Sequence, residues 1–133
     1  MEKNQIVVLE DRGLIAVEGN DAKDFLQNII SNDIEKVSVS NSVFSGIFTP
    51  QGKYLYEFFI LKNSEGFLLD CDNIFTEELI RHLLKYKLRS EVEIKDLSSF
   101  YVIGVTNEEK FKEIQNEVGS KEKTILYRES PFF

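Results

Sequence analysis

A chain of 133 residues with 42% apolar and 29% charged side chains has the size and composition of one globular domain, which argues against intrinsic disorder. Its net charge of −7, from 23 acidic and 16 basic residues, disfavours general attraction to nucleic-acid phosphates or to an anionic membrane surface. One Cys and one His give neither an internal disulfide nor a Cys/His zinc cluster, so no metal ligands are expected. No apolar run reaches the ~18 residues of a membrane span, and no signal-peptide core follows Met1-Glu2-Lys3, so the sequence reads as cytosolic.

Along the chain, Ile6-Val7-Val8-Leu9 and Leu14-Ile15-Ala16-Val17 have the look of two strands joined by a turn at Asp11-Arg12-Gly13. Gly19-Asn20-Asp21 opens a helix over 21–31, with Asn20 as its N-cap and Phe25, Leu26, Ile29 and Ile30 as its apolar stripe. Strands over 43–49 and 54–61 flank Pro50-Gln51-Gly52-Lys53, a hairpin loop by its Pro and Gly. A turn at Asn63-Ser64-Glu65-Gly66 leads to a strand through Phe67-Leu68-Leu69. A second helix over 75–88 follows Asp72-Asn73, with the stripe Phe75, Leu79, Ile80, Leu83, Leu84 and Leu88. Glu77 and Glu78 stand early in it and Lys85, Lys87 and Arg89 late, as the helix dipole prefers.

After Ser90 strands are expected at 92–94 and 101–105. A capping box at Thr106 and Glu109 then starts a helix through Phe111, Ile114 and Val118, stopped by Gly119, and a last strand covers 124–127. The order ββαβββα then ββαβ, with hairpin-length connections, predicts an α+β fold: a mostly antiparallel sheet with helices packed on one face. Residues 1–90 read as a first unit and 91–133 as the start of a second, similar one. The apolar ending Ser130-Pro131-Phe132-Phe133 suggests an incomplete unit whose open edge a homodimer would cover.

Several strings carry a resemblance. Val17-Glu18-Gly19-Asn20-Asp21-Ala22, Phe25-Leu26-Gln27 and Ser31-Asn32-Asp33 are similar to a V-x-G-x-D-A…F-L-Q…T-N-D signature. Phe48-Thr49-Pro50-Gln51-Gly52-Lys53 resembles an L-T-P-x-G-[KR] hairpin, and Leu68-Leu69-Asp70-Cys71-Asp72 and Tyr86-Lys87-Leu88-Arg89-Ser90 also fit. In this order over residues 12–90 they resemble the folate-binding proteins related to the glycine cleavage T-protein (aminomethyltransferase), in particular the YgfZ branch linked to iron–sulfur cluster assembly. The resemblance implies a tetrahydrofolate-binding α+β fold of two related halves, of which this chain looks like an N-terminal portion. The K-G-C-[YF]-x-G-Q-E string of the YgfZ branch is absent here, and Cys71, between Asp70 and Asp72, is not its cysteine.

The resemblance also implies a site. Glu57 falls where the T-protein has an Asp beside the reactive folate nitrogens, which makes it the candidate catalytic residue. The added methylene moves the carboxylate by about 1 Å, enough to cost ~10²-fold in a positioned reaction. Asp70 falls where a pterin-contacting Asn stands, and a carboxylate can accept the paired ring N–H and NH₂ of a pterin. Phe44, Phe59, Leu61 and Leu68 match cleft positions where rings stack on the ligand. Arg12 matches an Arg of the YgfZ branch and can meet a carboxylate of the folate tail. Each residue also has a plainer reading: Glu57 as the polar side of a strand, Asp70 as a turn residue, the Phe and Leu residues as core, and Arg12 as a solvated turn residue. Asn32 and Asp33 read as turn formers, His82 as a partly packed surface residue and Cys71 as a small buried hydrophobe.

By period two, Glu57, Phe59 and Leu61 share a strand face, and Leu68 and Asp70 share a face of the next strand. The strand register decides whether the two sets coincide. The expected function is a tetrahydrofolate-binding protein that assists iron–sulfur cluster assembly or repair with assembly-protein partners. The alternatives are an aminomethyltransferase using Glu57, or an interaction-only remnant without folate.

Overall fold

The computed structural model describes residues 6–39, 41–101 and 103–106. Its strands are β1 (Ile6–Leu9), β2 (Arg12–Glu18), β3 (Val43–Phe48), β4 (Tyr54–Asn63), β5 (Gly66–Asp72), β6 (Glu93–Asp96) and β7 (Ile103–Thr106). The helices are α1 (Ala22–Ile29) and α2 (Thr76–Lys87), with short 3₁₀ turns at Ile34–Lys36 and Asn73–Phe75. The described residues fall into two compact units, Asp11–Tyr101 and the β1–β7 pair. The expected helix after Thr106 and the strand at 124–127 lie outside the described residues.

Within Asp11–Tyr101 one antiparallel sheet runs in the order β3-β4-β5-β2-β6. β2 and β5 are central and buried almost end to end, which is why their sequences are continuous apolar runs and not alternations. One face of the sheet forms the core. Ile15, Val17, Val43, Ile47, Phe58, Ile60, Phe67, Leu69 and Cys71 pack with Ala22, Phe25 and Leu26 of α1 and with Leu79 and Leu83 of α2. Both helices therefore cover the same face, as the apolar stripes require. The α2 stripe is shorter than expected: Phe75 and Leu84 are exposed, and Leu88 stands at φ 48, where the helix has ended.

Two local expectations are corrected. Ile6–Leu9 and Arg12–Glu18 do not form a hairpin, because β1 pairs with β7 while β2 pairs with β5 and β6. Asn20 is not the cap of α1. Asp21 holds that position without capping through its side chain, because its carboxylate accepts from Glu91 N–H at 2.7 Å, and Asn20 Nδ2 donates to Glu91 Oε2 at 3.0 Å. The helix start is thus tied to the segment after α2.

The signature strings prove to be latches of this fold. Gly19 adopts φ +117, and a Cβ there would stand 2.4 Å from the Glu91 carbonyl oxygen, so the close approach needs glycine. Gln27 accepts from Ile34 N–H and donates to the Asn32 carbonyl. Asn32 Nδ2 donates to the Phe44 carbonyl, and Ser31 Oγ accepts from Gly46 N–H, both at 3.0 Å. These bonds fasten the segment after α1 to edge strand β3. In the β3–β4 loop, Thr49 N–H donates to the Lys53 carbonyl and Gly52 N–H to the Thr49 carbonyl, with Gly52 at φ +84. This is the hairpin that Pro50 and Gly52 predicted.

Candidate functional site

The register puts the proposed site residues on one surface. Phe59 lies opposite Asp70, Leu61 opposite Leu68, Phe44 opposite Phe59, and Leu14 opposite Asp70. Period-two alternation adds Arg12 on β2 and Glu57 on β4. All seven positions, Arg12, Phe44, Glu57, Phe59, Leu61, Leu68 and Asp70, therefore share the sheet face that the helices do not cover. Leu14, Ala16, Leu61 and Leu68 are buried there and belong to a layer separate from the helix-side core.

Among the described residues Asp70 is the most deeply placed charge, 3% exposed within β5. Arg12 Nε donates to its Oδ1 at 2.8 Å, and Arg12 Nη2 donates to its main-chain carbonyl at 3.0 Å. A carboxylate removed from water at this depth needs a charged partner, and the guanidinium fork supplies one. Asp70 is thus a central-strand residue rather than a turn residue, and Arg12 begins β2 rather than occupying a turn. The pair fixes the orientation of both groups, which is the pre-organisation a recognition site needs.

Glu57 sits nearer the edge of the sheet, exposed, opposite Gly46. Aromatic pairs stand on both sides of it along the strands. Phe44 and Phe59 meet with centroids 5.1 Å apart and planes at 59°, and Phe48 and Tyr54 meet at 4.3 Å and 30°. Phe48 and Tyr54 escape a period-two reading, because a bulge between Ile47 and Phe48 brings Tyr54, not Leu55, opposite Phe48. Gly46 makes room for this ring: a Cβ there would lie 2.4 Å from Tyr54 Cε1. A glycine inside an apolar strand was the one sequence signal for it.

The remaining candidates are placed as packing residues. Cys71 is buried on the core face, its Sγ 3.7 Å from Thr76 Oγ1, and burial pushes its thiol pKa up, away from reactive thiolate. Asp33 accepts from Glu35 N–H and Asn32 Oδ1 from Asp33 N–H, the turn roles expected of them. His82 is half-buried on α2, against Tyr56 and Tyr86. Among the described residues no group of three His, Cys, Asp or Glu side chains could hold a metal ion, and no helix is long and apolar enough to cross a membrane.

No family model matches the chain. The chain is 35% identical over 103 residues to the iron–sulfur cluster assembly factor IBA57 homologue, mitochondrial, of Mycosarcoma maydis, covering 68% of this chain and 26% of that protein. It is 34% identical over 94 residues to the protein of the same name from Neurospora crassa, covering 65% and 21%. It is 24% identical over 141 residues to the one from Dictyostelium discoideum, covering 86% and 35%. The chain thus spans about a fifth to a third of these relatives' length. Among solved structures, the glycine cleavage system aminomethyltransferase T of Bartonella henselae superposes with a TM-score of 0.63 at 21% identity, over 70% of this chain and 26% of that one. That likeness fixes the fold: an antiparallel α+β unit of the T-protein kind.

Proposed function

Because this chain belongs to the YgfZ/T-protein-like family, we propose that it binds a tetrahydrofolate on the sheet face opposite α1 and α2 and assists iron–sulfur cluster assembly through protein partners. The observation that carries the reading is the register, Phe59 opposite Asp70 and Leu61 opposite Leu68, which gathers the seven candidate residues on one surface. In this reading the Arg12-oriented carboxylate of Asp70 accepts the adjacent N–H groups of the pterin, and Phe44 and Phe59 supply ring surface. Glu57 borders the same face and is the residue on which any aminomethyl transfer would depend. The relatives' names support the assembly role; the working compartment in this reading is the cytosol, although those relatives are mitochondrial by name.

The test is cellular. In cells lacking their own assembly factor of this family, expression of the full chain is expected to restore the activity of an iron–sulfur enzyme in extracts. Phe59→Ala is expected to restore less than about half as much, since a ring contact of this kind contributes ~0.5–1.5 kcal/mol beyond its buried area. No restoration by the wild type, or equal restoration by both, would contradict the reading. The reading also includes a homodimer through an open sheet edge. Light scattering at high micromolar concentration is expected to give twice the 15.4 kDa chain mass, and a monomer mass would remove the dimer.

A further inference from the structure

A second cluster of rings and charges lies on the other side of the sheet. Glu78, Arg81, His82 and Lys85 stand at i, i+3, i+4 and i+7 of α2 and so form one stripe. With Tyr56 of β4 they line a depression of about 420 Å³. Two of its lining residues are rings, Tyr56 and His82, with centroids 5.7 Å apart. Outside the lining, the Tyr86 ring lies 4.8 Å from His82 and Phe75 lies 6.2 Å from Tyr56. Burial, and then the negative charge of Glu78, push the Tyr56 hydroxyl pKa up, and Glu78 is the one carboxylate that lines the depression. Among the described residues neither Arg81 nor Lys85 lies within ion-pair distance of a carboxylate. Lys85 Nζ stands 6.0 Å from the centroid of the Tyr86 ring, and with Arg81 one helical turn before it two cations gather at this depression in a chain of net charge −7.

We infer that this depression is a second binding site, for a small organic anion carrying a flat ring. Arg81 and Lys85 hold the carboxylate or phosphate, and the Tyr56 and His82 rings hold the flat part. The depression is open to solvent and takes a small ring with its anionic group, and a guanidinium with an ammonium beside it is the donor set that oxyanions select. The site does not depend on the folate reading, because it uses the opposite layer and none of the same residues.

A pH signature follows. Burial, and then the nearby Lys85, hold the His82 imidazole below its ordinary pKa and so favour the neutral ring. The groups around it are Tyr56 from β4 and Glu78, Arg81, Lys85 and Tyr86 from α2 itself. An anion bound beside the ring favours the imidazolium, so by linkage the anion binds more tightly as pH falls through the His82 titration.

His82 is the chain's single histidine, so its ring-proton NMR signals are unambiguous. Titration of phenyl phosphate into the full chain at pH 7.5 is expected to shift these signals saturably, with a midpoint below about 10 mM. Arg81→Gln with Lys85→Gln is expected to weaken that binding at least about tenfold, the effect of losing one charged hydrogen bond. Inorganic phosphate is expected to bind more weakly than phenyl phosphate. Benzoate, whose charge is constant above about pH 5, is expected to raise the His82 pKa. A linear, non-saturating shift overturns the site, as does an unaltered midpoint in the double variant or an unmoved His82 titration. Inorganic phosphate binding as tightly as phenyl phosphate overturns the ring-bearing ligand class.

Discussion

Phe58→Ala is expected to destabilise the chain by about 3–5 kcal/mol, whereas Phe59→Ala, one residue away, is expected to cost only ~1–2 kcal/mol. Phe58 is fully buried on the helix-side face, in contact with the layer that α1 and α2 close, and its truncation leaves a cavity between sheet and helices. Phe59 is half-buried on the opposite face beside Phe44. A one-residue slip of β4 would exchange the two roles, since it turns every side chain to the other face. Urea unfolding of both variants, with unchanged slope against denaturant, gives the comparison directly. Equal losses, or the larger loss at Phe59, would show that the register placing Glu57, Phe59 and Asp70 together is wrong.

The architecture was legible in the sequence because its signals are local. The apolar stripe of α1, the Pro50–Gly52 loop and the long apolar runs of β4 and β5 each report their own conformation. What was misread depended on distant partners. Nothing in Asp11-Arg12-Gly13 tells that β1 pairs with β7 and not with β2. Asn20 looked like a cap because the Asp21 carboxylate is drawn to Glu91 N–H, 70 positions away in sequence. The resemblance strings themselves were readable because so many of their residues are latches: Gly19, Gln27, Ser31 and Asn32 hold backbone to backbone, and such roles tolerate few substitutes.

The candidate site was legible in part for a different reason. Seven positions carried over from a resemblance landed on one face because alternation is uninterrupted along β2 and β5, along β4 from Glu57 to Leu61, and at Phe44 of β3, all clear of the bulge. Phe48 and Tyr54 were missed because the bulge breaks that alternation. The partnership of Arg12 with Asp70 was missed because residues 58 positions apart give no sequence signal of contact.

The second large effect concerns the ligand. Replacing Asp70 by Ala removes the carboxylate that accepts from Arg12 and, in the proposed function, from the pterin N–H groups. Loss of a charged hydrogen-bond pair at a buried position costs about 1.5–3 kcal/mol, or roughly 10- to 150-fold in affinity. Circular dichroism of the variant separates this loss from unfolding, because breaking a buried ion pair also costs stability. Lys87→Gln, at the end of α2 on the other side of the sheet, is the control and is expected to leave affinity unaltered.

Calorimetric titration of tetrahydrofolate into the full chain, wild type beside folded Asp70→Ala, tests the folate-binding face most directly. Saturable binding by the wild type, weakened about 10- to 150-fold in Asp70→Ala and unaltered in Lys87→Gln, is the predicted result. No binding by the wild type, or one and the same constant in wild type and Asp70→Ala, would contradict it.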